Sequence, residues 1–258
     1  MSRAKGYTTT PLSFNRRAVI ASASVTRDKS SIHAMTQVDI SEPRRRMRDY
    51  FEATGEKISL TAYVVHCLGA TIVEHPQLNC FRSGRKRVTL QDATVSVLVE
   101  RKYEGEQVPE PVVIRGTSEK NVLEIQREIR KAQSKQGDKL GSLSAMTLIR
   151  MIPGFLLRTF IRMADRNKRM GVRYGKLAVT AIGMFARDAV WFVPHGTATV
   201  LVTVGGIEQK VIPVGETFET REHLCLTLSF DHDLVDGAPA ARFVKDFAER
   251  VRSGEGIG

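Results

Sequence analysis

Six histidines and three cysteines carry most of the reactive side-chain chemistry in this 258-residue chain, and His232 stands where it could be used. An extended, largely apolar segment, Leu224-Cys-Leu-Thr-Leu-Ser-Phe230, leads to Asp231 and His232, and a helical pattern begins near Asp236. A strand that turns sharply into a helix can expose an imidazole, and an imidazole titrating near pH 6.5 suits general-base work at neutral pH. Asp236, four residues on, can cap the helix that follows, where the dipole also favours a carboxylate.

The remaining histidines, His33, His66, His75, His195 and His223, show no His-Glu-x-x-His spacing, and Cys67, Cys80 and Cys225 form no Cys-x-x-Cys pair. No metal site is therefore expected. Cys225 lies seven residues from His232 along one extended segment, up to about 23 Å, so it reads as a buried strand cysteine and not as a nucleophile. No glycine-rich phosphate loop of Walker or Rossmann form is present.

Forty-two per cent of residues are apolar, which excludes disorder throughout and is enough for a full core. Lys and Arg number 39 against 28 Asp and Glu, a net charge of +11 that draws anionic partners without choosing among them. No stretch approaches the roughly 18 apolar residues of a membrane span, and the first ten residues lack the apolar centre of a secretion signal. A soluble, cytoplasmic protein is expected, its three cysteines too few for a disulfide framework.

Residues 58 to 75 are apolar all round a helix that Pro76 stops, so this helix should be buried. Val95, Val97 and Val99 alternate as a strand does, and Pro111-Val-Val-Ile-Arg115 reads as another. Ser118 can cap a helix whose inner face holds Val122, Leu123, Ile125 and Ile129. Strands follow over residues 177–182, 197–204 and 224–230, and a last helix after Asp236 turns Val244, Phe247, Ala248 and Val251 inward. The alternation of strands and helices gives an α/β layered domain over residues 1–258.

The His-x-x-x-Asp-Gly pattern of His232 to Gly237 resembles the signature shared by chloramphenicol acetyltransferases and the acyltransferase cores of 2-oxoacid dehydrogenase complexes, and the latter match better. Arg16-Arg-Ala-Val-Ile20 is similar to the start of that core, and Thr61 to Asn79 to its first long helix. Pro111 to Arg115 followed by Leu123 to Ile129 is similar to its next strand and helix. Ala178-Val-Thr-Ala-Ile-Gly-Met-Phe185 resembles the family element Thr-Ile-Ser-Asn-Leu-Gly-Met-Phe.

The resemblance implies a chloramphenicol acetyltransferase-like two-layer sandwich with a mixed β-sheet, and an acyltransferase acting between coenzyme A and a thiol such as dihydrolipoamide. His232 would take the proton of the attacking thiol. Between an unperturbed imidazole near 6.5 and a free thiol near 8.5 such a transfer is uphill by about 2.7 kcal/mol, small enough to be offset as attack proceeds. Thr180 stands at the family's serine and would donate to the oxyanion, although a β-branched strand residue needs no such role. Asp236 would pair with Arg16 or Arg17 and stiffen the turn. Phe185 and Trp191, close to Thr180 in sequence, are the guessed substrate contacts.

The family also implies a homotrimer whose sites lie between subunits, with acyl-coenzyme A as substrate, no permanently bound cofactor, and a lipoyl domain or other carrier supplied in trans. Here the chain departs in three ways. Asp233 replaces the family's arginine beside the base, the tail Arg252 to Gly258 lacks the apolar anchor of assembled cores, and residues 136–176 form a basic helical insertion. Within the insertion Arg158, Arg162 and Arg166 stand opposite Phe155, Leu156, Phe160, Ile161 and Met163. That face could be solvated on a core-packed helix, dock phosphate or an acidic carrier, or touch a membrane surface. A non-catalytic trimeric scaffold binding acidic partners is the alternative to an enzyme; nucleic acid is not favoured, because the basic residues lack interleaved aromatics.

Overall fold

The computed structural model describes residues 6–103, 106–134, 154–183, 186 and 188–257. Six strands form one mixed sheet in the order β1-β8-β7-β6-β4-β5: β1 Ser31–Asp39, β4 Val95–Tyr103, β5 Glu106–Ile114, β6 Leu177–Ala181, β7 Val200–Val214 and β8 Thr217–Asp231. β6 runs parallel to β4 and to β7, and the other neighbours are antiparallel. A separate hairpin joins β2 Cys80–Ser83 to β3 Lys86–Thr89.

One face of the large sheet carries a layer of helices: α2 Ser41–Thr54, α3 Leu60–Glu74, α4 Val122–Ser134 and α7 Gly237–Ser253. The core lies between, with Val95, Val97, Leu177, Val179, Val200, Val202, Leu226, Leu228 and Phe230 from the sheet meeting Tyr63, Leu68, Ile125, Phe243 and Phe247 from the helices. The expected two-layer mixed α/β sandwich is borne out. α3 is the buried helix of residues 58–75, begun by the hydroxyl of Ser59, which accepts from Ala62 N. The α4 start differs from expectation. Asn121 caps it, its Oδ1 accepting from Glu124 N while Glu124 returns a bond to Asn121 N, a reciprocal box that Ser118 lies too early to make.

Three further helices, α1 Phe14–Thr26, α5 Gly154–Arg166 and α6 Lys168–Tyr174, stand apart from that layer, and α1 packs on α5. The insertion read from the sequence falls partly on residues 135–153, outside the described residues. Of its amphipathic part, α5 buries Leu157 and half-buries Ile161, while Phe155, Phe160 and Met163 remain 65 to 70% exposed. Of the alternatives the sequence left open, a helix packed into the core by its whole apolar side is the one this exposure disfavours. Periodicity separates two faces of a helix but does not say which of them meets the protein.

β7 and β8 form a hairpin far longer than the sequence suggested, with Gly215 at positive φ in its turn. A bulge at Gly205 and Gly206 lets the segment after β6 lie against the sheet. A Cβ on Gly183 would sit 1.6 Å from the Gly205 carbonyl oxygen, so only glycine fits there. α7 is seated by Phe243, which meets Phe230 edge-on at 5.9 Å and stacks beside Phe247 at 6.1 Å. Phe243→Ala should cost about 3–5 kcal/mol and lower Tm by roughly 6–15 °C in a thermal melt; an unchanged Tm would contradict this seating.

Candidate active site

His232 is the first residue beyond β8. Its N–H donates to Ser30 O at 2.7 Å and its side chain is exposed. The ring Nδ1 lies 2.9 Å from Val235 O. A carbonyl oxygen only accepts, so Nδ1 carries a proton, and it is Nε2 that is left to present a lone pair when the ring acts as a base.

Asp231 organises the turn that achieves this. Its N–H donates to Thr199 O, its carbonyl accepts from Leu234 N and Val235 N at 3.0 Å each, and its Oδ1 accepts from Asp233 N at 3.2 Å. Its other carboxylate oxygen pairs with Lys29 at 3.2 Å. Lys29 also pairs with Asp165 of α5 at 3.2 Å and donates to Thr197 O at 2.8 Å, while Asp165 takes a second ion pair from Lys176 at 2.6 Å. These four side chains are 6 to 17% exposed, so the network is a buried one. Burial by itself would raise the Asp165 pKa, but Lys176 and Lys29 outweigh it and hold the carboxyl below its usual range. Lys176 is drawn down by burial against the pull of Asp165. With two cations on one carboxylate, the direction at Asp165 governs the cluster.

Asp236 occupies the N-cap of α7 in extended backbone geometry, yet its carboxylate makes no capping hydrogen bond. The expected cap is corrected: Pro239, at the third helical position, has no N–H to offer. The expected pairing with the arginines is not found among the described residues. Arg16 and Arg17 sit on the first turn of α1, roughly 15 Å by helical rise from the end that reaches Lys29 and Asp231. Among the described residues no ion pair joins either of them to Asp236. Asp233, beside the base, is met by Arg82 at 3.5 Å, which offsets the negative charge noted from the sequence.

Thr180 lies on β6, 7% exposed, on the sheet face opposite the helix layer. The register places it level with Thr203 and then Thr227 on β8. His232 is five residues past Thr227, about 17 Å along the strand, and two strand spacings add about 10 Å across, so the separation within one copy is on the order of 20 Å. The structure does not bring the two together in a single chain. Thr203 Oγ1 and Thr227 Oγ1 are buried without a hydrogen-bond partner among the described residues. Trp191 donates its indole N–H to Thr36 O on β1, three strands from β6, and Phe185 lies outside the described residues.

The cysteines are buried and free, and burial pushes the Cys67 thiol up to about 12, far from a nucleophile's range. Among the described residues no group of three potential ligands could hold a metal ion, and no helix is long and apolar enough to cross a membrane.

The architecture is that of the dihydrolipoamide acyltransferase cores. A probable dihydrolipoamide acetyltransferase from Listeria monocytogenes superposes with a TM-score of 0.70 at 19% identity, over 96% of this chain and 95% of that one. The dihydrolipoamide acetyltransferase of Azotobacter vinelandii does so with a TM-score of 0.70 at 15% identity, over 99% and 96%. Residues 164–257, which hold Thr180, Asp231 and His232, match the family model of the 2-oxoacid dehydrogenases acyltransferase (catalytic domain). Over 88% of the chain there is 21% identity to the dihydrolipoyllysine-residue succinyltransferase component of the 2-oxoglutarate dehydrogenase complex of Staphylococcus saprophyticus. The match covers 47% of that protein, so the chain spans about half the length of the curated relatives it matches. The resemblance read from the sequence is borne out. What the sequence reading missed is the Lys29, Asp165, Lys176 and Asp231 cluster, whose members are too far apart in the chain to leave a local signal.

Because the Asp165 pKa is depressed, the native state binds fewer protons than the unfolded chain just below pH 4. The stabilisation is present above about pH 4 and is lost as pH falls through the lowered value. Between pH 5 and 2, Tm should therefore fall more steeply with pH for the native chain than for Asp165→Asn; identical dependences of Tm on pH would show that Asp165 is not held in its charged form.

Proposed function

We propose that this chain is an acyltransferase that moves an acyl group between coenzyme A and a thiol acceptor such as dihydrolipoamide. The reading is carried by the ring of His232, whose Nδ1–H is committed to Val235 O and whose Nε2 stands free in solvent. Spacing supports it. The Azotobacter vinelandii enzyme was studied for the role of a serine, a histidine and an asparagine in its catalytic mechanism; there the serine precedes the histidine by 52 residues and the asparagine follows it by four. Thr180 and His232 are also 52 residues apart, and Asp236 follows His232 by four.

The chemistry needs no covalent enzyme intermediate. Nε2 of His232 takes the proton of the attacking thiol as its sulfur bonds to the thioester carbonyl carbon. Charge collects on the carbonyl oxygen, and the Thr180 hydroxyl donates to it. The carbonyl re-forms as the bond to the leaving sulfur breaks, and the imidazolium returns its proton to that thiolate. Asp236, whose carboxylate makes no capping hydrogen bond, stands four residues on from the base, at the position of the asparagine in the Azotobacter vinelandii enzyme.

Because His232 and Thr180 of one copy stand so far apart, the hydroxyl comes from a second copy, and a closed homotrimer satisfies every site equally. The partners are acyl-coenzyme A and a lipoyl group carried by another protein. The chain acts as one catalytic domain with α5 and its flanking basic residues as an insertion, and its free, buried thiols suit a reducing cytoplasm.

Thiol exchange followed by mass spectrometry, with succinyl- and acetyl-coenzyme A offered against dihydrolipoamide, tests the activity. His232→Ala should lower kcat by about 10²–10⁴-fold and leave Tm within a few degrees, since the ring is exposed. Thr180→Val should cost about 10²-fold or more, and Thr180→Ser should retain most of the rate. Exchange by folded protein that survives His232→Ala would refute the assignment.

A further inference from the structure

We infer that Lys29 and Asp165 are positioning residues for His232, so that helix α5 sets the orientation and tautomer of the base through a buried chain of charges. The inference rests on the reading of His232 as the base. It starts from the way Asp231 is held. Four hydrogen bonds converge on this residue, and through Val235 N they fix the residue whose carbonyl accepts from the imidazole N–H.

Among the described residues, Lys29 makes the ion pair that fixes the carboxylate of Asp231 from outside the turn. The ammonium has three N–H donors, and three acceptors surround it: Asp231, Asp165 and Thr197 O, all within 3.2 Å. Lys29 is thus held from three directions and has little freedom of its own. The residue that follows it, Ser30, accepts the backbone N–H of His232, so one short segment grips the catalytic corner by both backbone and side chain.

Asp165 is the one member contributed by α5, and it in turn is held by Lys176, the residue before β6. The order is Lys176, Asp165, Lys29, Asp231, alternating in sign, each charge flanked by its opposite. Removing Lys29 leaves Asp231 and Asp165 buried without their shared cation, and Asp231 must then turn towards solvent; removing Asp165 takes away one of the three acceptors that hold Lys29. The loss frees Asp233 N and slackens the turn. The imidazole can then exchange its bond to Val235 O for water and populate the other tautomer, in which Nε2 carries the proton and cannot act as base. A displacement of about 1 Å at a reacting group can cost 10²-fold in rate, so a modest loosening here is visible in turnover.

The test is run on the full-length chain with Lys29→Met, Lys29→Arg and Asp165→Asn. Imidazole ¹⁵N spectra, with His232→Gln giving the assignment, should show the Nδ1–H tautomer of His232 in the native chain and a mixture in Lys29→Met. In thiol exchange Lys29→Met should lower kcat by about 10–100-fold with KM changed less than twofold. Lys29→Arg should recover part of both signals, and Asp165→Asn should move both in the same sense by less. Should Lys29→Met fail to fold, Asp165→Asn, which keeps the shape of the side chain, decides the matter. A folded variant with a lowered Tm but native tautomer and native kcat would overturn the inference, making the cluster purely structural. The spectra need no turnover, so a native chain that transfers no acyl group would count against the proposed reaction while the tautomer still judges the positioning.

Discussion

Whether this fold can hold a general base depends on the hydrogen bond from His232 Nδ1 to the Val235 carbonyl. The bond is local, spanning three residues, but it persists only while the turn keeps its shape. That shape is set by Asp231, which is tied backward to Thr199 O just before β7, forward to Leu234 and Val235, and sideways to Lys29. The aromatic seat of Phe230, Phe243 and Phe247 fixes the strand and helix on either side. An exposed imidazole is thus supported by buried charge beneath it and by apolar packing around it.

A second constraint is geometric. A sheet spaces its strands at about 4.8 Å and its residues at about 3.3 Å, and no side-chain motion closes a gap on the order of 20 Å. Thr180 lies in mid-sheet and His232 beyond the strand end, so the two serve one thioester only if copies of the chain meet. Thr203 and Thr227, level with Thr180, bury hydroxyls without partners among the described residues. The three form a buried polar strip across the sheet, beside the hydroxyl on which the oxyanion would rest.

Much of this was legible in the sequence because it is local. A run of residues apolar on every side gave α3, alternation gave β4, and the strand-to-helix junction with its His-x-x-x-Asp-Gly spacing singled out His232. Where the reading failed, a competing local or tertiary effect decided. Asp236 looked like a cap, but Pro239 removes a donor it would need. Ser118 was a plausible start for α4, but Asn121 with Glu124 makes two bonds where Ser118 could make one. α5 shows two faces in its periodicity, yet only tertiary packing reveals that Phe155, Phe160 and Met163 stay outside. The charged cluster draws on residues 29, 165, 176 and 231, and nothing near any one of them announces the other three.

Subunit complementation tests most directly that the site is built from two copies. His232→Gln and Thr180→Val chains, each inactive alone, would be unfolded together, refolded in equal amounts and assayed for thiol exchange. In a closed ring where each site takes its imidazole from one copy and its hydroxyl from the next, random mixing restores about one site in four. The account predicts recovery to roughly a quarter of native activity in the mixture; activity no higher than that of the separate variants, from oligomers shown to be mixed, would contradict it.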